Sequence, residues 1–210
     1  MYVPASFAVH DLTQLRSFVA RHSFATLVTA GDEGPFASHL PMLWRPEGGD
    51  LGTLIAHVAR ANPQWRQMES DRETLAIFHG PHAYISPAWY VEHPSVPTWN
   101  YAAVHVYGKT RILHDHDQIV ALLRELTATY EAGRESPWNG ELPDEYRDKL
   151  IQGIVAFELV VTRVEGKFKL GQNRSAEDQQ AVYDALSASD DSEQRALAQL
   201  MAPFIHVDAE

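Results

Sequence analysis

The chain has 210 residues, enough for one domain or one domain with an appendage, and 45% of them are hydrophobic, ample for a sizeable core. Lys and Arg total 17 against 28 Asp and Glu, a formal net charge of −11 with no basic run; direct DNA binding, which relies on neutralising phosphates, is therefore doubtful. The chain contains no cysteine, which excludes disulfides, thiolate catalysis and thiolate-ligated zinc.

Asp11 followed by Gln14 forms a capping-box pattern, and Leu12, Leu15, Phe18, Val19 and His22 recur at helical spacing, which predicts a helix from Leu12 to His22. The period then changes. Phe24 to Ala30 reads as a strand, Gly31 to Gly34 as a hairpin turn, and Pro35 to Trp44 as the return strand. Leu51 to Val58 is a third strand; Asn62 and Pro63 open a short helix as cap and first residue; Thr74 to His79 is a fourth strand. Asn100 to Leu113 reads as a long strand with Ala102, Val104, Val106 and Gly108 on one face and Tyr101, His105, Tyr107 and Lys109 on the other. Ile119, Leu122, Leu123, Leu126 and Tyr130 mark an amphipathic helix ending near Gly133, and Pro143 to Gly153 a shorter one. Ile154 to Val164 is β-branched, with Gly166 separating it from Phe168 and Leu170. Ser175 and Asp178 cap a further helix, and Ser192 to Met201 is the last. About six antiparallel strands with late helices predict an α+β fold around a barrel-like sheet. The expected organisation is a principal domain over 1–174 and a helical extension over 175–210 packed on it. Neither a signal-peptide pattern at the N-terminus nor an apolar run near ~20 residues is present, so no membrane association and a cytoplasmic location are expected.

The segment from Gly80 to Lys109 is unusually aromatic, with Tyr84, Trp89, Tyr90, Trp99, Tyr101 and Tyr107. A connection of this kind either folds back over a core or lines a pocket for a flat ligand. At its end, Trp99-Asn100-Tyr101 sets an amide between two rings, a way to hold a planar heterocycle. Two strand ends add polar chemistry. At His57-Val-Ala-Arg60-Ala-Asn62-Pro63, a guanidinium beside a capped helix start suits a phosphate, although, taken alone, Arg60 as a solvated strand end and Asn62 as a plain cap is the better reading, since caps are common and phosphate sites are not. At Lys167 to Arg174, alternation points Phe168 and Leu170 inward and Lys167 and Lys169 to the other side. The eleven histidines show no helical metal-ligand pair, so no metal is expected.

Ser38-His39-Leu40-Pro41, His57 to Pro63, Gly80 to Tyr90, Val96 to His105 and Lys169-Leu-Gly-Gln172-Asn173-Arg174, in that order along the chain, resemble the PaiB family of FMN-binding negative transcriptional regulators. The resemblance implies a six-stranded split β-barrel with peripheral helices, working as a homodimer with FMN near the subunit interface. It makes Arg60, with His57 and Asn62, the phosphate side. Ser38 and His39 then contact phosphate or ribityl hydroxyls, Trp99, Asn100 and Tyr101 the isoalloxazine, and Lys169 and Gln172 its polar edge. The family pattern has serine where Gly171 stands, which puts one hydroxyl contact in doubt. The expected function is regulation by an FMN-binding protein. The alternatives are a flavin-dependent oxidoreductase acting on a small substrate, haem handling with His206 as axial ligand, and an interaction module without flavin.

Overall fold

The computed structural model describes residues 1–32 and 34–205. His206, the candidate haem ligand, lies outside the described residues. The strands are β1 (Ala8–Val9), β2 (Phe24–Gly31), β3 (Gly34–Pro41), β4 (Leu43–Arg45), β5 (Thr53–Ala59), β6 (Thr74–Ile85), β7 (Thr98–Ile112) and β8 (Ile154–Lys169). The helices are α1 (Leu12–Arg21), α2 (Gln64–Met68), α3 (His116–Glu131), α4 (Asp144–Gln152), α5 (Ala176–Ser187) and α6 (Ser192–Met201). Local signals fix their starts: Asp11 Oδ1 accepts from Thr13 N at 2.8 Å, and Asp115, Ser175 and Asp191 cap α3, α5 and α6 by accepting a backbone N–H.

The strands form one eight-stranded sheet in the order β3-β2-β6-β7-β8-β5-β4, with β1 pairing on β8; the pairs β2–β3, β2–β6, β4–β5, β5–β8 and β1–β8 are antiparallel. Among the described residues no ladder joins β3 to β4, so the sheet is not closed into a barrel and the expectation of a six-stranded split β-barrel is overturned. The two edge strands are poor partners. β3 begins and ends near prolines, Pro35 and Pro41, which offer no N–H, and β4 is only three residues long. The predicted single return strand is broken at Met42, whose N–H turns aside to Ser23 O at 2.9 Å.

The chain divides into two compact units, 1–18 with 78–105 and 165–210, and 19–77 with 106–164. In the first, Phe18 packs on Phe168 with ring centroids 5.0 Å apart, and Phe204 meets Phe168 edge-on at 6.4 Å. Gly166 does not interrupt β8; a Cβ there would lie 2.3 Å from Leu15 Cδ2, so glycine is needed for the close approach of α1 and β1. In the second unit, Ile119, Leu122 and Leu126 of α3 and Ile151 of α4 cover Ile55 and Ala156 of the sheet. Burying these apolar stripes is the main drive for both helices to dock. No helix among the described residues is long and apolar enough to cross a membrane.

Candidate functional site

The ten predicted site residues fall five in each unit. Ser38, His39, His57, Arg60 and Asn62 belong to the second. Alternation along β3 turns Ser38 and His39 to opposite faces: Ser38 Oγ accepts from Asn62 Nδ2 at 2.8 Å, whereas His39 Nδ1 meets Thr26 Oγ1 at 3.0 Å. Asn62 also accepts Gln64 N at 3.0 Å, an Asx turn leading into α2, for which Pro63 occupies the cap position. α2 has only five residues, so an anion here would be held by side chains and loop N–H groups and not by a helix dipole. Arg60 is exposed but largely engaged, its Nε and Nη2 donating to Gln152 O at 2.8 Å and Ile154 O at 2.7 Å. His57 stands apart from the others. It is half-buried on the sheet face covered by α3, burial holds its imidazole below the ordinary value, and its Nδ1 has no hydrogen-bond partner.

Trp99, Asn100, Tyr101, Lys169 and Gln172 belong to the first unit. The aromatic stretch is mostly strand: β6 runs on to Ile85 and β7 begins at Thr98, leaving only 86–97 as a connection. Pleating therefore separates what the sequence reading set together. Trp99 is 52% exposed, while Asn100 is buried, its amide 3.9 Å from Met201 Sδ, so it does not lie between the two rings. On the exposed side Trp99 sits 6.1 Å from both the His82 and the Tyr84 ring. Lys169 Nζ donates to Trp99 O at 2.7 Å and to Thr98 Oγ1. Gln172 folds locally, accepting Leu170 N at 2.8 Å and donating to Phe168 O at 2.6 Å.

Two neighbours were not legible as part of this group. Lys167 was expected to point outward; it is only 8% exposed, its ammonium 5.2 Å from the Tyr101 ring and 5.5 Å from that of Tyr2. Arg174 lies over Tyr90 at 4.1 Å and faces the fully buried Asp178 at 3.7 Å. Asp178 in turn accepts the N–H groups of Val91 and Glu92 at 2.7 and 3.0 Å, fixing the 86–97 connection. Desolvation first, then Lys167 and Arg174, holds the Lys169 ammonium below its ordinary pKa. Nothing in the local sequence of β8 signals this crowding, because it depends on which rings Tyr2 and Tyr101 bring from elsewhere in the chain.

A protein-family model described as "Putative FMN-binding domain" matches residues 1–163. The protease synthase and sporulation protein PAI 2 of Bacillus subtilis is 36% identical over 203 residues, covering 96% of each chain. The chain is a member of the PaiB family. FMN is accordingly its cofactor. Among solved structures, the flavocytochrome Anf3 of Azotobacter vinelandii superposes with a TM-score of 0.62 at 14% identity over 79% of this chain and 70% of that one. The FAD and heme binding protein of Mycobacterium smegmatis gives 0.61 at 17% identity over 83% and 78%. At these identities the likeness is one of fold. Each unit, taken by itself, holds groups whose chemistry suits part of an FMN: in the first, three crowded cations would be relieved by an electron-rich ring edge; in the second, the Ser38–Asn62 pair and Arg60 offer donors to an anion.

Proposed function

We propose that this chain is a homodimeric, cytoplasmic FMN-binding protein with a regulatory role, in which the Lys169 group addresses the isoalloxazine. The observation that carries the reading is the Lys169 ammonium, pinned on Thr98 and Trp99 beside Lys167 and Arg174 and next to the open ring of Trp99. FMN supplies a ring that accepts and releases electrons. Lys169 donates toward its carbonyl edge and favours negative charge there, Trp99 and Tyr101 offer apolar ring surface, and Gln172 fixes the turn that follows Lys169. In the second unit Ser38, His39, Arg60 and Asn62 are assigned to phosphate or ribityl oxygens, with Arg60 contributing the guanidinium N–H groups that its carbonyl bonds leave free. Asn100 and His57, both turned elsewhere, are assigned supporting roles.

Regulation fits better through the redox state of the flavin or a protein partner than through direct DNA contact, given the net charge of −11. The exposed His82, Tyr84 and Trp99 side chains support self-association, since uncovered aromatic surface of this kind marks contact sites. The test is an FMN titration followed by flavin fluorescence for the wild-type protein, Lys169→Met and Arg60→Ala. Each substitution is expected to weaken binding by about 1.5–3 kcal/mol, the value of a charged hydrogen bond. Unchanged affinity in both variants would remove the site assignment.

A further inference from the structure

A cavity of about 1080 Å³ lies wholly within the second unit, walled by α3, the 132–143 connection and α4, with His57 and Ile154 contributed by the sheet. Its size is just above the range of small-molecule pockets, about 300–1,000 Å³. Two large apolar side chains in its wall, Trp138 and Leu150, each remain 49% exposed. The partly buried Leu123 and Ile154 add apolar surface to the wall beside them.

The polar groups of the wall decide what kind of molecule fits. Glu131 is engaged, accepting Trp138 N at 3.0 Å and pairing with Arg134; Asp144 is held by Arg147 at 2.8 Å. The unmatched groups are chiefly donors. Among the described residues Arg124 has no hydrogen bond or ion pair, and Arg147 Nε is buried without a partner. Arg124 rises from a helix held by the burial of its neighbours Leu122 and Leu126, so its planar fork is presented from a fixed base. Glu141, also in the wall, is exposed on the connection.

We propose that this cavity binds a small apolar anion, an aromatic or branched aliphatic carboxylate, with its acid group on Arg124 and its body against Leu123, Leu150, Ile154 and Trp138. The proposal does not rest on the flavin assignment of the Lys169 group. The probe is anilinonaphthalene sulfonate, an apolar anion, titrated into the FMN-loaded protein with near-UV circular dichroism confirming the native state. One saturable site per chain is expected, weakened at least 10-fold in Arg124→Ala and in the cavity-filling Leu123→Trp, with melting temperature unchanged in Arg124→Ala. The proposal is overturned if Arg124→Ala binds the dye as the wild type does, or if a naphthalene bearing a trimethylammonium group binds better than the sulfonate. It is also overturned if the dye binds the FMN-free protein and added FMN displaces it, which would make the cavity the flavin's own.

Discussion

Gly171 shows how a single residue separates sequence pattern from structural requirement. The PaiB-type pattern has serine here, so by pattern alone the glycine is a missing hydroxyl. Its φ of +88° gives a different reason, since L side chains are disfavoured in that region. A Cβ would meet nothing closer than Asn100 Nδ2 at 3.8 Å, so Gly171→Ser is expected to cost backbone strain alone, about 1 kcal/mol. Gly108 is the steric counterpart: a Cβ there would lie 2.2 Å from Val160 O and 2.4 Å from Leu159 Cδ2. Gly108→Ala is expected to cost about 3 kcal/mol, the upper end for overpacking. Urea unfolding of the two variants measures both, and equal losses would contradict the distinction. Lys167 makes the same point for charge. Period-two alternation placed it outside, but β8 is covered on both faces at its end, and the Tyr2 and Tyr101 rings receive the ammonium.

At the scale of elements, helix starts were legible because their signals are local. Asp11, Ser175 and the Ser192 to Met201 pattern required only neighbours within a turn. What joins α3 to α4 was not legible, because His116 and Asp148 are 32 positions apart. His116 Nε2 meets Asp148 Oδ1 at 3.0 Å; this bond first, then Asp117, raises the imidazole pKa, and the same bond first, with Arg147 adding to it, lowers that of Asp148. The His116 contribution is therefore complete below its unfolded pKa near 6.5 and lost as pH rises through the higher folded value. The Asp148 contribution is present above its unfolded value near 3.8 and lost as pH falls through the lower folded one. Raising the pH from about 5.5 to about 8.5 should thus remove a stabilising contribution from the wild type that His116→Asn lacks from the outset. Thermal melts of both proteins across that range check this; parallel pH profiles would show that the pair contributes nothing.

At the scale of the whole molecule, the same aromatic residues that drew notice in the sequence define the expected contact between copies. β6 exposes His82 and Tyr84 while burying Ala83, and Trp99 of β7 joins them. Tyr84, 47% exposed, packs edge-on against Trp99, so Tyr84→Glu tests the patch as a contact surface, with flavin affinity measured alongside. A negative charge in that patch should shift the protein from dimer to monomer in sedimentation at micromolar concentration. A dimer as stable as the wild type's would place the interface elsewhere.

The sequence by itself determined the α+β class, most element positions, the PaiB membership and with it FMN, because each rests on local periodicity, capping chemistry or linked motifs. Tertiary structure alone decided that the sheet stays open, since strand order depends on which edges find partners, and the prolines of β3 and the brevity of β4 leave those edges unpaired. It also decided that Asn100 turns inward from Trp99, that Lys167 is buried and that His57 belongs with α3. A motif specifies which side chains are near in sequence. Pleating and burial determine which of them face the same way.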